Sequence, residues 1–505
     1  RAIAKLANLN PFLEPRVAAE ERALGARRDD RAVWSAEGDE LTDDPGVVEL
    51  GDRAERLAAA ARARLERGAA PAAGELDVYR DLVLYALFYR SEGAFYRHIV
   101  GRLERAPAAP PPSFEGFARD RHHFFAPLRR HRVELPDAGH LFALFFQLRR
   151  AFHFTFRHIL GASPAAARLR AAVWESILTR DPIRYQRGLF ARMHEISTLV
   201  TGPSGTGKEL VASAIGLSRY IEWDASAGRF AEDFPATYHP LHLSALAPGL
   251  IESELFGHRR GAFTGAAADR AGHLDGKHPC HTVFLDEIGE VAPSVQVKLL
   301  RVLESREFYP AGDERARRFG GKIVAATNRC LAEEVSAGRF RADLYYRLCS
   351  DIVQTPTLAD QLADDPRELD RLVRPLARRL LGDAEAEAAA AEVTAWIRRE
   401  LPAGYPWPGN MRELEQCVHN VVVRGRYAPL VASGPGRGAV AELGARVAEG
   451  ALTADELLDR YCTLVFARAG SYREAARRLG LDRRTVKRRV DPALLARLEI
   501  EGAGG

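Results

Sequence analysis

The sequence predicts an α/β fold with a mainly parallel sheet, set between a mostly helical N-terminal segment and a small all-α C-terminal unit. Three observations carry this. From about residue 190, short β-like runs alternate with helical patterns: STLVTG, TVFLDEI and KIVAATN each end at a turn or polar residue. Before that point the chain is rich in Arg and Ala at helical spacing, as in DRAERLAAAARARLERG (52–68), with APAAPPPS (106–113) marking a loop. After it, helix returns over 357–428, and VASGPGRGAVAELGARVAEG (431–450), with five glycines, reads as a flexible linker. The expected organisation is therefore 1–158 helical and regulatory by position, 159–356 α/β, 357–428 helical, 429–450 linker and 451–505 a small helical unit.

Composition bounds what these parts can do. At 505 residues the chain is long enough for roughly three domains, taking ~150 residues for each. Hydrophobic residues make up 47%, enough for packed cores. The formal net charge is only +4, so any surface for a polyanion must be local. Cysteines stand at 280, 330, 349, 417 and 462; an odd number without C-x-x-C spacing suits a reducing cytoplasm better than a disulfide framework or zinc site. The longest apolar runs, LVLYALFY (82–89) and LFALFF (141–146), are too short to span a bilayer, and no signal peptide pattern is visible.

The first third carries seven histidines, His98, His122, His123, His131, His140, His153 and His158. None has ligand spacing with carboxylates or cysteines, so ordinary surface and core histidines among aromatics are expected.

TLVTGPSGTGKE (198–209) is an apolar run, a glycine-rich turn and a helical pattern. Gly202, Gly205 and Gly207, with Pro203, Ser204 and Thr206 between them, let backbone N–H groups wrap phosphate oxygens, and Lys208 reaches the outer phosphates. Glu209 stands where a Ser or Thr ordinarily ligates magnesium. TVFLDEIGE (282–290) then ends a hydrophobic strand in Asp286-Glu287, the pair a nucleoside triphosphatase needs. The aspartate holds Mg2+ and the glutamate polarises the attacking water. KIVAATNR (322–329) ends at Asn328, where ligands bind in open α/β sheets, although a turn residue is the simpler role. GRFRADLYYRL (338–348) places Arg341 and Arg347 around an aromatic pair; either suits a transferring phosphoryl group or a surface ion pair. WPGNMREL (407–414) puts Arg412 just inside a helix beginning near Asn410.

ELFGHRRGAFTGA (254–266) fits none of these roles. It sets Phe263 and Thr264 among Gly261, Ala262, Gly265 and Ala266, and a lone aromatic between glycines cannot pack a core.

Taken together, GPSGTGKE, GAFTGA, VFLDEI, FRADLYYRL and WPGNMREL, in that order, resemble the sigma-54-dependent AAA+ transcriptional activators, the NtrC-like bacterial enhancer-binding proteins. The resemblance covers roughly 159–425 and 451–490. It implies an AAA+ P-loop ATPase with a helical lid at 357–428, using ATP and Mg2+. Lys208 would bind the β- and γ-phosphates, and the family usually carries Glu at the place of Glu209. Asp286 and Glu287 would be the Walker B pair, Asn328 sensor I and Arg412 sensor II. Arg341 and Arg347 would act on ATP held by a neighbouring subunit, which requires a homo-oligomeric ring, usually a hexamer. Phe263 and Thr264 would ride a loop that contacts sigma-54 in the RNA polymerase holoenzyme, which explains an exposed aromatic.

The chain departs from the family pattern at three places. Pro203 replaces the usual Glu, His242 falls at the asparagine switch that restrains the Walker B glutamate, and PTLADQ (356–361) replaces PPLRER. A histidine there could hydrogen-bond Glu287. Stretches near 183–195 and 220–238 are also longer than usual.

SYREAARRLGLDRRTVKRRV (471–490) reads as helix, tight turn, helix. Ser471 and Glu474 form a capping box, Gly480 supplies the turn, and Asp482 caps the second helix. Eight basic and two acidic residues give this stretch +6, against +4 for the whole chain, which is the footprint of double-stranded DNA binding. Arg483, Arg484, Thr485, Lys487 and Arg488 would face the groove. The segment is similar to the Fis-type helix-turn-helix that ends the family. An activator that opens sigma-54 promoters from upstream DNA is thus the leading expectation. The alternative is a DNA-binding regulator with a degenerate ATP-binding domain. A small-molecule P-loop kinase leaves GAFTGA and the C-terminal helices unexplained.

Overall fold

The computed structural model describes residues 1–25, 45–104, 111–263, 265–365, 367–402, 404–429, 443–444, 446–447, 450–492 and 494–495. Most of the expected linker, and Thr264, lie outside the described residues. The chain forms two compact units, Arg1–Val423 and Arg424–Gly505.

A five-stranded parallel sheet organises the first unit: β1 Thr198–Thr201, β2 Tyr238–His242, β3 Thr282–Asp286, β4 Lys322–Thr327 and β5 Asp351–Gln354. The order across the sheet is β5-β1-β4-β3-β2, with every pairing parallel. Beside it stand a P-loop and a helical lid, so this is an α/β domain of the AAA+ kind. The runs TVFLD and KIVAAT are buried almost throughout, with apolar centres, because both faces of the sheet are covered. The period of two sorts them. Leu199, Val283, Leu285, Ile323 and Ala325 pack on one face with Leu255, Phe256, Leu299 and Leu344. Val200, Phe284, Val324, Ala326 and Val353 pack on the other.

That second face is shared with the N-terminal helices. One continuous apolar cluster runs from Ile3 and Phe12 through Phe88, Phe142 and Trp174 to Ile215 and Val353. The boundary expected after residue 158 therefore crosses a common core. The helix Ala138–His158 is its pivot. Asp137 caps it by accepting from Gly139 N and His140 N at 2.7 and 3.2 Å. It buries most of its length, taking Gln147, Arg149, Arg150 and His153 inside along with its phenylalanines and leucines. The long stretch near 220–238 packs on it: Phe230 stacks on Phe146 with centroids 4.2 Å apart, and Trp223 meets Phe142 edge-on at 4.8 Å. Of the seven histidines, His153 is buried, His140 bonds Tyr220 Oη and Gln186 O, and His158 bonds Leu210 O.

The lid comprises helices Leu358–Asp364, Glu368–Leu381, Asp383–Glu400 and Asn410–Arg424. PTLADQ is the start of the first: Thr357 and Asp360 form a reciprocal capping box. Glu368 is fully buried and accepts from Ala162 N and Ser163 N, tying the lid to the chain that enters the α/β domain. Gly161 is confined there, since an added Cβ would lie 2.1 Å from Glu368 Oε1.

In the second unit, helices Ala454–Ala469, Tyr472–Leu479 and Arg483–Arg489 close on Ala475, Val486 and Val490. Gly480 takes φ 64°, as the turn requires. The expected capping box is only half made. Ser471 Oγ accepts from Glu474 N at 3.3 Å, but the Glu474 carboxylate takes Arg477 and Arg478 at 2.6–2.9 Å. Two guanidiniums three and four residues on lie on the same helix face and win that carboxylate.

Candidate functional site

Parallel strands deliver the candidate residues to one edge of the sheet. Thr201, His242, Asp286 and Thr327 end their strands there. The glycine loop follows β1 and opens the helix Lys208–Leu217. Gly202, Gly205 and Gly207 all have positive φ, at 147°, 78° and 86°. Two are also sterically fixed: a Cβ at Gly202 would lie 2.1 Å from Thr355 Oγ1, and one at Gly205 would lie 2.2 Å from Gly409 O. Thr206 Oγ1 donates to Pro203 O at 2.8 Å and lies 2.6 Å from Thr355 Oγ1.

Lys208 is 8% exposed, and its Nζ donates to Gly202 O and Pro203 O at 2.9 and 3.0 Å. Burial pulls its ammonium below the ordinary lysine range, while Glu287 and Asp286 oppose that shift. A poorly solvated ammonium facing two carboxylates suits an anionic ligand that brings a counter-ion.

A cleft of about 380 Å3 lies over this loop, within the usual range for small-ligand sites. Its lining is mixed: Ile159, Leu160, Leu169 and Leu376 supply apolar surface, while Ser204–Glu209, Asp286, Glu287 and Arg412 supply polar and charged groups. Such a mixture suits a nucleotide, which carries both an apolar base and charged phosphates. Arg412 Nη1 reaches Ser204 Oγ at 3.3 Å. Asn328 stands one residue beyond β4, exposed, and is not part of the cleft lining.

Glu287 is held at φ 56°, ψ 48°, a left-handed conformation rare for a glutamate. Strain of this kind collects at functional positions. Asp286 Oδ1 accepts from Glu287 N at 3.0 Å. The switch position differs from expectation. His242 Nδ1 lies 3.2 Å from Asp286 Oδ2, and its Nε2 lies 3.8 Å from Glu209, so its neighbour is the aspartate and not Glu287. The reason is register: His242 and Asp286 are paired across β2 and β3, whereas Glu287 is already past the strand end.

Arg341 and Arg347 are not part of the cleft lining. Arg341 makes a bidentate pair with Asp343 at 3.0 and 2.6 Å, and Arg347 Nε lies 3.5 Å from Glu304. Both are exposed.

The aromatic loop is built on two short hairpins. Gly257–His258 pairs with Arg270–Ala271, and Glu307–Phe308 with Arg317–Arg318. Arg259 joins them, bonding Asp269 at 2.5 Å and Asp313 at 2.8 Å. Within the loop, Gly261 N donates to Ala266 O and Ala266 N to Phe263 O. Gly261 and Gly265 take φ 82° and 104°. Ala266 is buried, but Phe263 is 39% exposed and meets the His258 ring edge-on, centroids 5.0 Å apart. A firm base thus carries an aromatic tip.

In the second unit, Arg483, Arg484, Lys487 and Arg488 are exposed together and Thr485 is half-buried. Asp482 caps their helix through Arg484 N and Thr485 N. Arg489 belongs to the scaffold instead, paired with Asp455 and Asp459.

Sequence reading did not single out Asn410, Thr355, Gln361 and Arg379. Gln361 and Arg379 line the cleft. Asn410 Nδ2 donates to Ser204 O and its Oδ1 accepts from Leu358 N, each at 2.9 Å. The quoted WPGN contained the signal for Asn410, since an Asn after Gly favours left-handed φ, here 51°.

Among the described residues, no helix is long and apolar enough to cross a membrane. Residues 184–353 match the sigma-54 interaction domain. The Nif-specific regulatory protein of Azotobacter vinelandii is 41% identical over 230 residues, 45% of this chain and 40% of that protein. The transcriptional regulatory protein ZraR of Salmonella typhi is 38% identical over 307 residues, 58% of this chain and 62% of its own. The anaerobic nitric oxide reductase transcription regulator NorR of Salmonella paratyphi C is 39% identical over 269 residues, 53% and 46% of the two chains. The chain thus spans about two fifths to three fifths of the length of these curated relatives. A crystal structure of NtrX from Brucella abortus aligns over 82% of this chain and 85% of that one, with 20% identity and a TM-score of 0.40. Over residues 184–353, the chain is thus similar to the sigma-54 interaction domain family.

Proposed function

We propose that this chain is an ATP-hydrolysing transcription activator that binds upstream DNA and remodels closed complexes of sigma-54 RNA polymerase. One observation carries the reading. The exposed Phe263 rides a loop whose base is bonded into the same α/β unit as the P-loop cleft, so a change at the nucleotide can be passed to an aromatic tip.

The loop amides of Ser204–Gly207 and Lys208 would hold the phosphates of ATP, Ile159, Leu160 and Leu169 its base, and Asp286 a magnesium ion. The ion, when bound, neutralises charge on the phosphate oxygens. Glu287 accepts the proton of the attacking water as the bond between the γ-phosphorus and its bridging oxygen breaks. Arg412 would steady the phosphates from the lid, and Asn328, which the cleft lining does not include, would take the sensor I role. Arg341 and Arg347, both exposed, would complete the site of a neighbouring copy in a ring, for which we propose six subunits. Arg483, Arg484, Thr485, Lys487 and Arg488 would lie against duplex DNA. The setting is the cytoplasm, in keeping with five free cysteines.

The contact of His242 with Asp286 favours a second reading, a DNA-binding regulator that binds ATP without turning it over, because it engages the carboxylate meant for magnesium. One experiment separates the two: ATP hydrolysis and promoter opening with purified sigma-54 polymerase, for the wild type, Phe263→Ala and Thr264→Ala. Both variants are expected to fold, assemble and hydrolyse ATP nearly normally, yet fail to open the promoter. Absent wild-type hydrolysis selects the second reading, and normal opening by both variants removes the loop from the mechanism.

A further inference from the structure

The N-terminal helices line a half-open, mainly apolar pocket of about 120 Å3 that the nucleotide and polymerase roles leave unused. Its wall is made by Leu6, Leu84, Tyr85, Leu144, Phe152 and Trp174, drawn from four helices. Protein interiors hold few voids larger than one water molecule, and an apolar void does not hold water well. An engineered apolar cavity of ~150 Å3 binds benzene, so this one matches a single ring of about six to eight heavy atoms.

The lining also sets the charge of its occupant. The guanidinium at the edge, Arg16, is already satisfied: its Nε donates to Glu20 at 2.6 Å and its Nη1 to Leu6 O at 2.8 Å. Burial pushes the phenols of Tyr85 and Tyr89 up, so both stay neutral. The other polar groups at the lining, Asn8, Gln186 and the Tyr85 hydroxyl, carry no charge, so a charged ligand would lack a counter-ion, which is costly. An uncharged apolar molecule needs none.

The same wall leads to the nucleotide loop. Tyr185, which lines the cavity, donates its hydroxyl to Gln147 Oε1 at 2.9 Å. Gln147 Nε2 donates to Ser218 O at 2.9 Å, at the end of the helix that Lys208 begins. Arg150 holds that helix end as well, through Leu217 O and Arg219 O at 2.7 and 2.6 Å, and His158 accepts from Ser213 or donates to Leu210 O along it. The helix Ala138–His158 therefore has the cavity on one side and the P-loop helix on the other.

We propose that this cavity is a binding site for a compact, uncharged, single-ring or similarly sized apolar molecule, and that its occupancy changes ATP affinity through the Tyr185–Gln147–Ser218 chain. The coupling rests on the ATP reading above; the binding does not.

Calorimetry of the full chain with benzene tests the site, with benzoate as the charged counterpart. Benzene is expected to bind and raise the Tm, and benzoate to bind at least tenfold more weakly. Leu84→Phe and Leu144→Phe, two independent fillings at half-buried positions, should each weaken benzene at least tenfold while keeping the circular dichroism of the wild type. No binding up to the solubility of benzene, or undiminished binding in whichever filled variant folds, overturns the site. For the coupling, benzene should shift the ATP Kd at least threefold in the wild type and not in Tyr185→Phe, which keeps the cavity and loses the hydroxyl. An equal shift in both, or none in either, overturns the coupling. If the chain binds no ATP at all, the proposed function and the coupling fall together, and the calorimetry still decides the cavity.

Discussion

His153 is 5% exposed, and burial, aided by Arg149 and Arg157, pulls its imidazole down to about 3. The folded chain thus holds it neutral, while the unfolded chain protonates it below about 6.5. The folded-state pKa is the depressed one, so protons favour the unfolded chain in the window from 6.5 down to 3, and stability falls as pH drops. Above pH 5 the carboxylates are still ionised and contribute little to that slope. We expect His153→Leu to reduce the slope of unfolding free energy between pH 6.5 and 5 by about 1.4 kcal/mol per pH unit. Urea unfolding at pH 7, 6 and 5 measures it, and parallel slopes would show that His153 is not neutral in the fold. No spacing rule in the sequence distinguished this histidine from His122 or His123; only the packing of its helix did.

At the scale of elements, the turn before the last lid helix joins lid to P-loop. Trp407 and Asn410 take φ 47° and 51°, Met411 N donates to Gly205 O at 3.0 Å, and Gly409 O closes over Gly205. Asn410 binds Ser204 O and Leu358 N from a buried position. Removing its amide leaves both backbone groups without that partner, at about 1–3 kcal/mol each. Asn410→Ala should therefore lower the unfolding free energy by about 2–4 kcal/mol and weaken ATP binding at least tenfold. Asn410→Gly, which relieves the φ but still lacks the amide, should recover part of the stability and none of the affinity. Equal ATP affinity in all three chains, by equilibrium dialysis, would detach this turn from the nucleotide. The P-loop, the Walker B strand and the capped C-terminal helices were readable because each rests on local spacing. The bond from Asn410 to a loop some two hundred residues away was not, because no local pattern encodes a contact that long.

At the scale of the whole molecule, the exposed Arg341 and Arg347 and the basic helix call for partners. If Arg341 and Arg347 act on a neighbour's ATP, hydrolysis per chain must rise cooperatively with protein concentration. Arg347→Ala should then retain ATP binding and lose at least tenfold in turnover; full turnover by a chain shown to be monomeric by light scattering would refute the arrangement. On the DNA side, the exposed Arg484 and Lys487 should contribute through phosphates. Replacing both with Gln should lower the slope of log affinity against log salt by about two. Arg489, paired with Asp455 and Asp459, should instead change helix stability and leave that slope unaltered. An identical slope in the double variant, by gel-shift titration at several salt concentrations, would take Arg484 and Lys487 out of the interface.

The sequence by itself determined the α/β order, the phosphate loop, the acidic strand end, the exposed aromatic and the basic helix. Each depends on residue type at short spacing, which the backbone converts directly into a strand end, a glycine turn or a capped helix. The tertiary structure alone decided which neighbour each of those residues meets. Strand register set His242 against Asp286, two nearby guanidiniums drew Glu474 from its cap, and the alternate face of the sheet was closed by helices expected to stand apart from it. Those outcomes depend on the pairing of distant segments, where burial of apolar surface and competition among partners outweigh local preference.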